Sequence, residues 1–209
     1  MKILVVDDHA VVRQGLKLIL SEGFPKATIA EAQNATEALE LIWKQNWNLV
    51  LLDITLPGRS GLDVLPEVKR ARPKAAVLVL SMYPEAEFAV RALKNGAAGY
   101  ITKKSAADEL VRAAKQVLAG GRYVTAALAQ KLAADLATGG DKPLHEALST
   151  REFQVMQLLA AGKTVKEIAA DVSLSFKTVS TYRTRILAKL SLQSNVAIAR
   201  YALQHRLVD

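Results

Sequence analysis

Cysteine is absent from the 209 residues, and histidine occurs only at His9, His145 and His205. The first absence excludes disulfides and thiolate metal sites, and three scattered histidines argue against an imidazole-built metal centre. A reducing compartment, the cytoplasm, is therefore expected. Also missing is any apolar run near the ~18–20 residues that span a bilayer. Met1 leads directly into a strand-like segment instead of a basic, then apolar, export signal, so no membrane partner is expected. Apolar residues are plentiful, at 51% of the chain. A length above that of one ordinary domain and this apolar content point to two modest cores.

The net charge is +8. It is unevenly placed: residues 1–120 carry 16 basic and 13 acidic side chains, residues 121–209 carry 12 and 7. Between Lys163 and Arg206 eight lysines and arginines face only Glu167 and Asp171. That is the electrostatic footprint of a polyanion-binding surface, with a solvated helical face as the plainer alternative.

Short apolar runs at Ile3–Val6, Leu49–Leu52 and Val77–Leu80 each lead toward a polar residue, Asp7, Asp53 and Ser81. Runs of this kind are buried parallel strands. Weaker strands fit Thr28–Ala32 and Gly99–Thr102, and the intervening stretches have helical spacing, as in Val12, Leu16, Ile19 and Leu20. Five β-α units predict an α/β domain with a flavodoxin-like five-stranded parallel sheet over residues 1–120. A linker over 121–147 contains a short helix near Ala126–Ala137 and a breaker-rich stretch from Thr138 to Pro143. A small all-α domain follows over 148–209. Ser149 with Glu152, and Thr164 with Glu167, have the spacing of capping boxes; Gly162 stops the first helix, Ser175 opens a third, and a fourth fits Val196–Leu207. Three helices in so short a span imply a helix-turn-helix.

In an open parallel sheet, ligands collect beyond the carboxyl ends of the strands where strand order reverses. Asp7, Asp8, Asp53 and Ser81 all fall there. Three neighbouring carboxylates repel one another unless a hard cation shares their oxygens, and Mg2+ suits such a set because it keeps waters and a phosphate in its shell. A carboxylate beside the cation can attack phosphorus, and Asp53, ending the central strand before the Pro57-Gly58 turn, is best placed to do so. Lys103, just past the fifth strand, can balance phosphoryl charge, and Ser81 offers a hydroxyl. Singly, each of these residues reads as a helix cap or a solvated charge; together they make a site.

Asp7-Asp8-His9, the Asp53 turn, Ser81 and Gly99-Tyr100-Ile101-Thr102-Lys103 resemble the receiver domains of two-component response regulators over residues 1–120. The resemblance implies that Asp53 is the phosphoacceptor. It places Mg2+ on Asp7, Asp8, Asp53 and the backbone carbonyl of Thr55, and assigns phosphoryl contact and switching to Ser81, Tyr100 and Lys103. It implies a sensor histidine kinase, or a phosphotransfer protein, as partner, and no enzymatic activity beyond phosphoryl transfer to and from the chain's own aspartate. Two positions depart from the pattern: Met82 stands where a small residue is usual, and Lys104 where Pro, Asp or Gly is common.

The tail, with Leu148-Ser149-Thr150-Arg151-Glu152, Gly162-Lys163, Glu167-Ile168-Ala169, Lys177-Thr178-Val179 and Lys189-Leu190, resembles the LuxR-type domain of the NarL/FixJ subfamily. A helix over Phe176–Leu190 would enter the major groove of double-stranded DNA with Val179, Ile186, Leu187 and Leu190 turned to the core. Ser180, Thr181 and Thr184 are then candidates for base contact, and Lys177, Thr178, Tyr182, Arg183, Arg185 and Lys189 for phosphates or groove edges. A homodimer on a repeated half-site is expected, with Val196, Ala199, Leu203 and Leu207 available for its last-helix contact. The expected function is phosphorylation-switched, sequence-specific DNA binding in transcription control. A haloacid-dehalogenase-like phosphatase is disfavoured because position 55, where that family needs a second aspartate, is Thr; a constitutive DNA binder is disfavoured by the intact Asp8, Asp53 and Lys103.

Overall fold

The computed structural model describes residues 1–82, 85–105, 107–126, 128–130, 133, 143–205 and 207–208, with backbone alone at 85–87. The chain divides into two compact units, Met1–Gly139 and Gly140–Asp209.

In the first unit β1 (Lys2–Val6), α1 (Ala10–Gly23), β2 (Thr28–Ala32), α2 (Ala35–Lys44), β3 (Leu49–Asp53), α3 (Gly61–Ala71), β4 (Ala76–Ser81), α4 (Glu85–Lys94), β5 (Gly99–Thr102) and α5 (Ala107–Leu118) alternate strictly. The strands form one parallel sheet in the order β2-β1-β3-β4-β5. Strand order reverses between β1 and β3, so the carboxyl ends of those two strands border the crevice where such sheets bind ligands. Every residue of β3 is buried, as expected of a central strand covered on both faces. One layer of the core packs Ile3, Val5, Leu49, Leu51, Leu78 and Leu80 against Leu20 of α1 and Leu110, Ala113 and Val117 of α5.

This unit runs past residue 120, the limit expected from sequence. After Gly120, Tyr123 forms a parallel bridge with Gly99, donates its N–H to the Ala98 carbonyl at 2.9 Å, and donates its hydroxyl to Glu109 at 2.8 Å. A Cβ on Gly99 would lie 2.8 Å from the Tyr123 Cβ, so glycine is what lets the returning chain lie against β5. Most of the linker helix expected at 126–137, and the stretch from Thr138 to Lys142, lie outside the described residues.

The second unit opens with a 3-10 turn, Leu144–Ala147, which sequence patterning did not show, followed by α6 (Thr150–Ala160), α7 (Val165–Asp171), α8 (Phe176–Lys189) and α9 (Asn195–Gln204). Each of these four helices is started by a hydroxyl. Ser149 and Thr164 complete capping boxes with Glu152 and Glu167, Ser175 accepts from the Thr178 N–H, and Ser194 from the Ala197 N–H. Gly162 ends the α6 segment at φ 84°, while Ser173, between α7 and α8, takes the left-handed conformation at φ 53° without being glycine. Val179, Ile186 and Leu190 of α8 are buried, as expected. In α9 the buried positions are Ile198 and Ala202; Val196 and Leu203 of the expected stripe are exposed. No helix among the described residues is long and apolar enough to cross a membrane.

Candidate functional site

Asp7 follows β1, Asp53 ends β3, and Lys103 follows β5, so three strand ends deliver their charges to one place. The Lys103 ammonium lies 2.6 Å from Asp7 Oδ2 and 2.7 Å from Asp53 Oδ2. All three side chains are nearly inaccessible, at 1% exposure for the two aspartates and 8% for the lysine. Asp8 is less buried, and its Oδ1 lies 2.7 Å from His9 Nδ1. Burial pushes the Asp53 carboxyl up to about 6, with Asp7 adding to the rise and Lys103 and the Thr55 N–H opposing it. On Lys103 burial works against the charge, but Asp53 and Asp7 outweigh it and hold the ammonium above the ordinary lysine value.

Asp7, Asp8, His9 and Asp53 each offer a ligand atom within 4.8 Å of the others'. Asp53 Oδ1 is buried without a hydrogen-bond partner. A buried carboxylate oxygen left unsatisfied is costly, and three carboxylates against one lysine leave an excess of negative charge. The donor set is therefore fitted to a divalent cation, with hard oxygen ligands and no thiolate.

The backbone around Asp53 is held by close packing. The Ile54 carbonyl accepts from the Gly61 N–H at 2.9 Å and from the Ser60 hydroxyl at 3.2 Å. A Cβ on Gly61 would lie 1.9 Å from the Asp53 carbonyl oxygen. Gly61→Ala is thus expected to push the end of β3 out of place, lowering stability by about 2 kcal/mol in urea unfolding.

Of the other residues expected here, Ser81 is fully buried at the end of β4, and its carbonyl accepts from the Lys103 N–H at 2.7 Å. Tyr100 is buried. Met82 points its side chain to solvent, and Lys104 is exposed. Sequence reasoning missed Arg13. From the first turn of α1 it donates to the Asp7 carbonyl at 2.7 Å and lies 3.4 Å from Glu31 of β2, bracing the loop that carries the acidic pair. No spacing in the sequence signalled it, because its partner is a backbone carbonyl.

In the second unit the structure sorts the basic and hydroxyl residues of α8. Lys177, Thr181, Thr184 and Arg185 are exposed, and Thr178, Ser180 and Tyr182 are partly buried. Arg183 donates from Nε to Asn195 Oδ1 at 2.6 Å. Lys189 is bound within the unit: its ammonium lies 2.6 Å from Glu152 Oε2 and 3.1 Å from the Ala147 carbonyl, fastening the end of α8 to the start of α6. Burial works against the charge of Glu152, but the bonds from Lys189 and Ser149 outweigh it and keep its carboxyl below the usual range. Phe176, which received no role from sequence, is 62% exposed at the first position of α8.

An acidic, lysine-balanced crevice at the switch point of a doubly wound sheet, followed by a capped helical unit with a cationic outward helix, defines a phosphorylation-controlled regulator with a DNA-binding output. Residues 3–115 match the response regulator receiver domain, and residues 146–202 match the bacterial regulatory proteins of the luxR family. The chain belongs to the two-component response regulators of the NarL/FixJ type, transcription regulators that join these two domains. It is similar to the response regulator GacA of Pseudomonas aeruginosa, 37% identical over 210 residues covering 100% of this chain and 98% of that one. It is also similar to the virulence-factor transcription regulator BvgA of Bordetella pertussis, 38% identical over 207 residues covering 99% and 98%. Among solved structures, a LuxR-family response regulator from Aurantimonas sp. matches 65% of this chain and 97% of its own at 34% identity, with a TM-score of 0.59. RcsB from Salmonella enterica serovar Typhimurium, bound to the promoter P1flhDC, shares the fold over 96% of this chain and 97% of its own at 24% identity, with a TM-score of 0.59.

Proposed function

We propose that Asp53 is the phosphoacceptor and that its phosphorylation by a histidine kinase, or a phosphotransfer protein, switches dimerisation and DNA binding of the tail. The observation that carries this reading is the Asp53–Lys103 pair at 2.7 Å in a buried acidic crevice. With a pKa of about 6, Asp53 is ionised at neutral pH. Its carboxylate attacks the phosphorus of a phosphoimidazole or acetyl phosphate; the new bond is O–P, the broken one joins phosphorus to the leaving nitrogen or oxygen. Lys103 then meets the phosphoryl oxygens, and the Ser81 hydroxyl donates to one of them. Mg2+, held by Asp7, Asp8, Asp53 and the Thr55 carbonyl, would neutralise charge on the transferring group. The chain's catalysis would be confined to phosphoryl transfer to and from its own aspartate. Ser81 and Tyr100, both buried, are the residues through which the change at Asp53 would be passed on.

The limits of the parts in this reading are a receiver over 1–120, a linker over 121–147 and the DNA-binding domain over 148–209, with the tail dimerising on promoter DNA in the cytoplasm. Lys177, Thr178, Ser180, Thr181, Tyr182, Thr184 and Arg185 remain available on α8 for groove and backbone contact; Arg183 and Lys189 are held in place by Asn195 and Glu152, with further N–H groups left to donate. The exposed Val196 and Leu203 of α9 suit a second copy of the tail.

The test is selection from a pool of random duplexes by the purified protein, with and without acetyl phosphate and magnesium. Phosphate should enhance sequence-selective, salt-sensitive binding, and Asp53→Ala should abolish the enhancement. Selective binding indifferent to both phosphate and mutation would overturn the switch.

A further inference from the structure

His9 occupies the N-cap of α1 in extended backbone, yet its side chain makes no capping bond. Ser, Thr, Asp or Asn at that position would accept from a helix N–H, a service the imidazole does not render. The ring turns to the acidic crevice instead. Its Nδ1 lies 2.7 Å from Asp8 Oδ1 and 3.3 Å from Asp7 Oδ1. The His9 N–H, donating to Asp7 Oδ1 at 2.9 Å, holds the turn that brings it there.

One ring nitrogen between two carboxylate oxygens carries at most one hydrogen, so it can satisfy only one of them. Asp8 Oδ1 is left over: it is shut off from solvent and makes no hydrogen bond, even with Nδ1 only 2.7 Å away. Asp53 Oδ1, on a side chain 1% exposed, is likewise buried without a hydrogen-bond partner. Close, unsatisfied lone pairs of this kind fit a shared cation. Two ligand atoms at right angles on an ion with bonds of about 2.1 Å stand about 3 Å apart. The Nδ1 separations of 2.7 and 3.3 Å fall on either side of that value. The nitrogen also decides the character of the ion. Carboxylate, carbonyl and water oxygens suit magnesium and manganese, whereas imidazole suits zinc, iron and nickel.

We propose that His9 is a ligand, through Nδ1, for a first-row transition ion of the zinc class, which shares the crevice carboxylates and competes there with Mg2+. The proposal rests on the reading in which Asp7, Asp8 and Asp53 hold a divalent cation, and it adds a fourth side chain and a second class of ion to that site. Mg2+ has little use for the nitrogen, so His9 sets which ion wins the crevice without strengthening the hold on magnesium. The ring stands at the rim, 63% exposed, and its removal opens no cavity.

The full-length protein, freed of metal with a chelator, is loaded with Mn2+, whose free-ion signal in electron paramagnetic resonance falls as it binds. Zn2+ or Mg2+ is then added to displace it. His9→Gln should need about tenfold more Zn2+ than the unaltered protein, since even the outer partners of metal ligands contribute that much. The two proteins should need the same Mg2+, which also shows that the variant's crevice is folded. Zinc bound elsewhere on the chain is common to both proteins and cancels in the comparison. Equal Zn2+ displacement from both overturns the His9 ligand and leaves the carboxylate site standing. A variant weakened alike for both ions also overturns it, and makes His9 a brace of the loop. A protein that binds no Mn2+ at all overturns both the His9 ligand and the cation site on which it rests.

Discussion

Asp53→Asn is expected to abolish labelling by acetyl phosphate and, at the same time, to make the N-terminal unit harder to unfold. The first effect follows because an amide oxygen is not a nucleophile for phosphorus at neutral pH. The second follows from the burial of Asp53 and its pKa of about 6 against an ordinary 3.8. Between those values the folded protein holds a proton that the unfolded chain has released, so stability falls as pH rises from about 4 to about 6 and then levels off. Above pH 6 the ionised carboxylate costs the fold about 3 kcal/mol. Asparagine removes most of that cost, and Lys103 keeps Asp7 as a partner. Both tryptophans, Trp43 and Trp47, lie in the N-terminal unit, so their fluorescence follows its urea unfolding separately from the tail. The expected result at pH 8 in a chelator is a higher midpoint for Asp53→Asn, a gap that closes by pH 4, and a rise in wild-type stability when magnesium is added. A variant no more stable than the wild type at pH 8 would show that Asp53 carries no such burden.

The second large effect is expected at Glu152. Its carboxylate accepts from the Ser149 N–H at 2.7 Å and pairs with Lys189 at 2.6 Å while being almost fully buried. Glu152→Ala removes half of a capping box, worth about 1 kcal/mol, and breaks an ion pair whose carboxylate is buried and whose lysine is exposed. The combined loss should reach about 2 kcal/mol in the unfolding of the tail, since solvent at Lys189 screens the pair, read by circular dichroism at the helical band. Lys189→Met should lose less, because Glu152 would retain its bond from Ser149. Since the folded Glu152 carboxyl sits below its ordinary value, this contribution is complete above about pH 4.5 and disappears as acid carries the pH down through the folded pKa. The tail of Glu152→Gln should therefore show a flatter acid limb than the wild type.

The acidic crevice was legible because apolar runs fix the strands, and a strand's polar last residue has nowhere to go but the sheet's carboxyl edge. That reasoning brought Asp7, Asp53 and Lys103 together, and the structure places the Lys103 ammonium within 2.7 Å of both carboxylates. Helix starts were equally plain at Ser149, Thr164 and Ser175, since a cap acts over three residues. Contacts over longer separations were not readable. Lys189 and Arg183 looked like free cations in a basic stretch, but their partners are Glu152, 37 residues away, and Asn195, 12 away. Spacing along one helix cannot reveal a partner on another. Arg13 was hidden for the related reason that it bonds a carbonyl, a group every residue carries. Phe176 drew no role because nothing in its spacing separates an exposed aromatic residue from a packed one; only its exposure distinguishes it.

The hydroxyl caps of the tail have a consequence for how such a domain can change partners. Ser149, Thr164, Ser175 and Ser194 each begin their own helix, and the buried positions of α8 lie opposite its exposed ones. The scaffold and the letters it displays are therefore written in separate residues. Replacing Thr181 or Thr184 alters no cap and opens no cavity, so the outward side of α8 can change one residue at a time without first crossing a valley of unfolded intermediates.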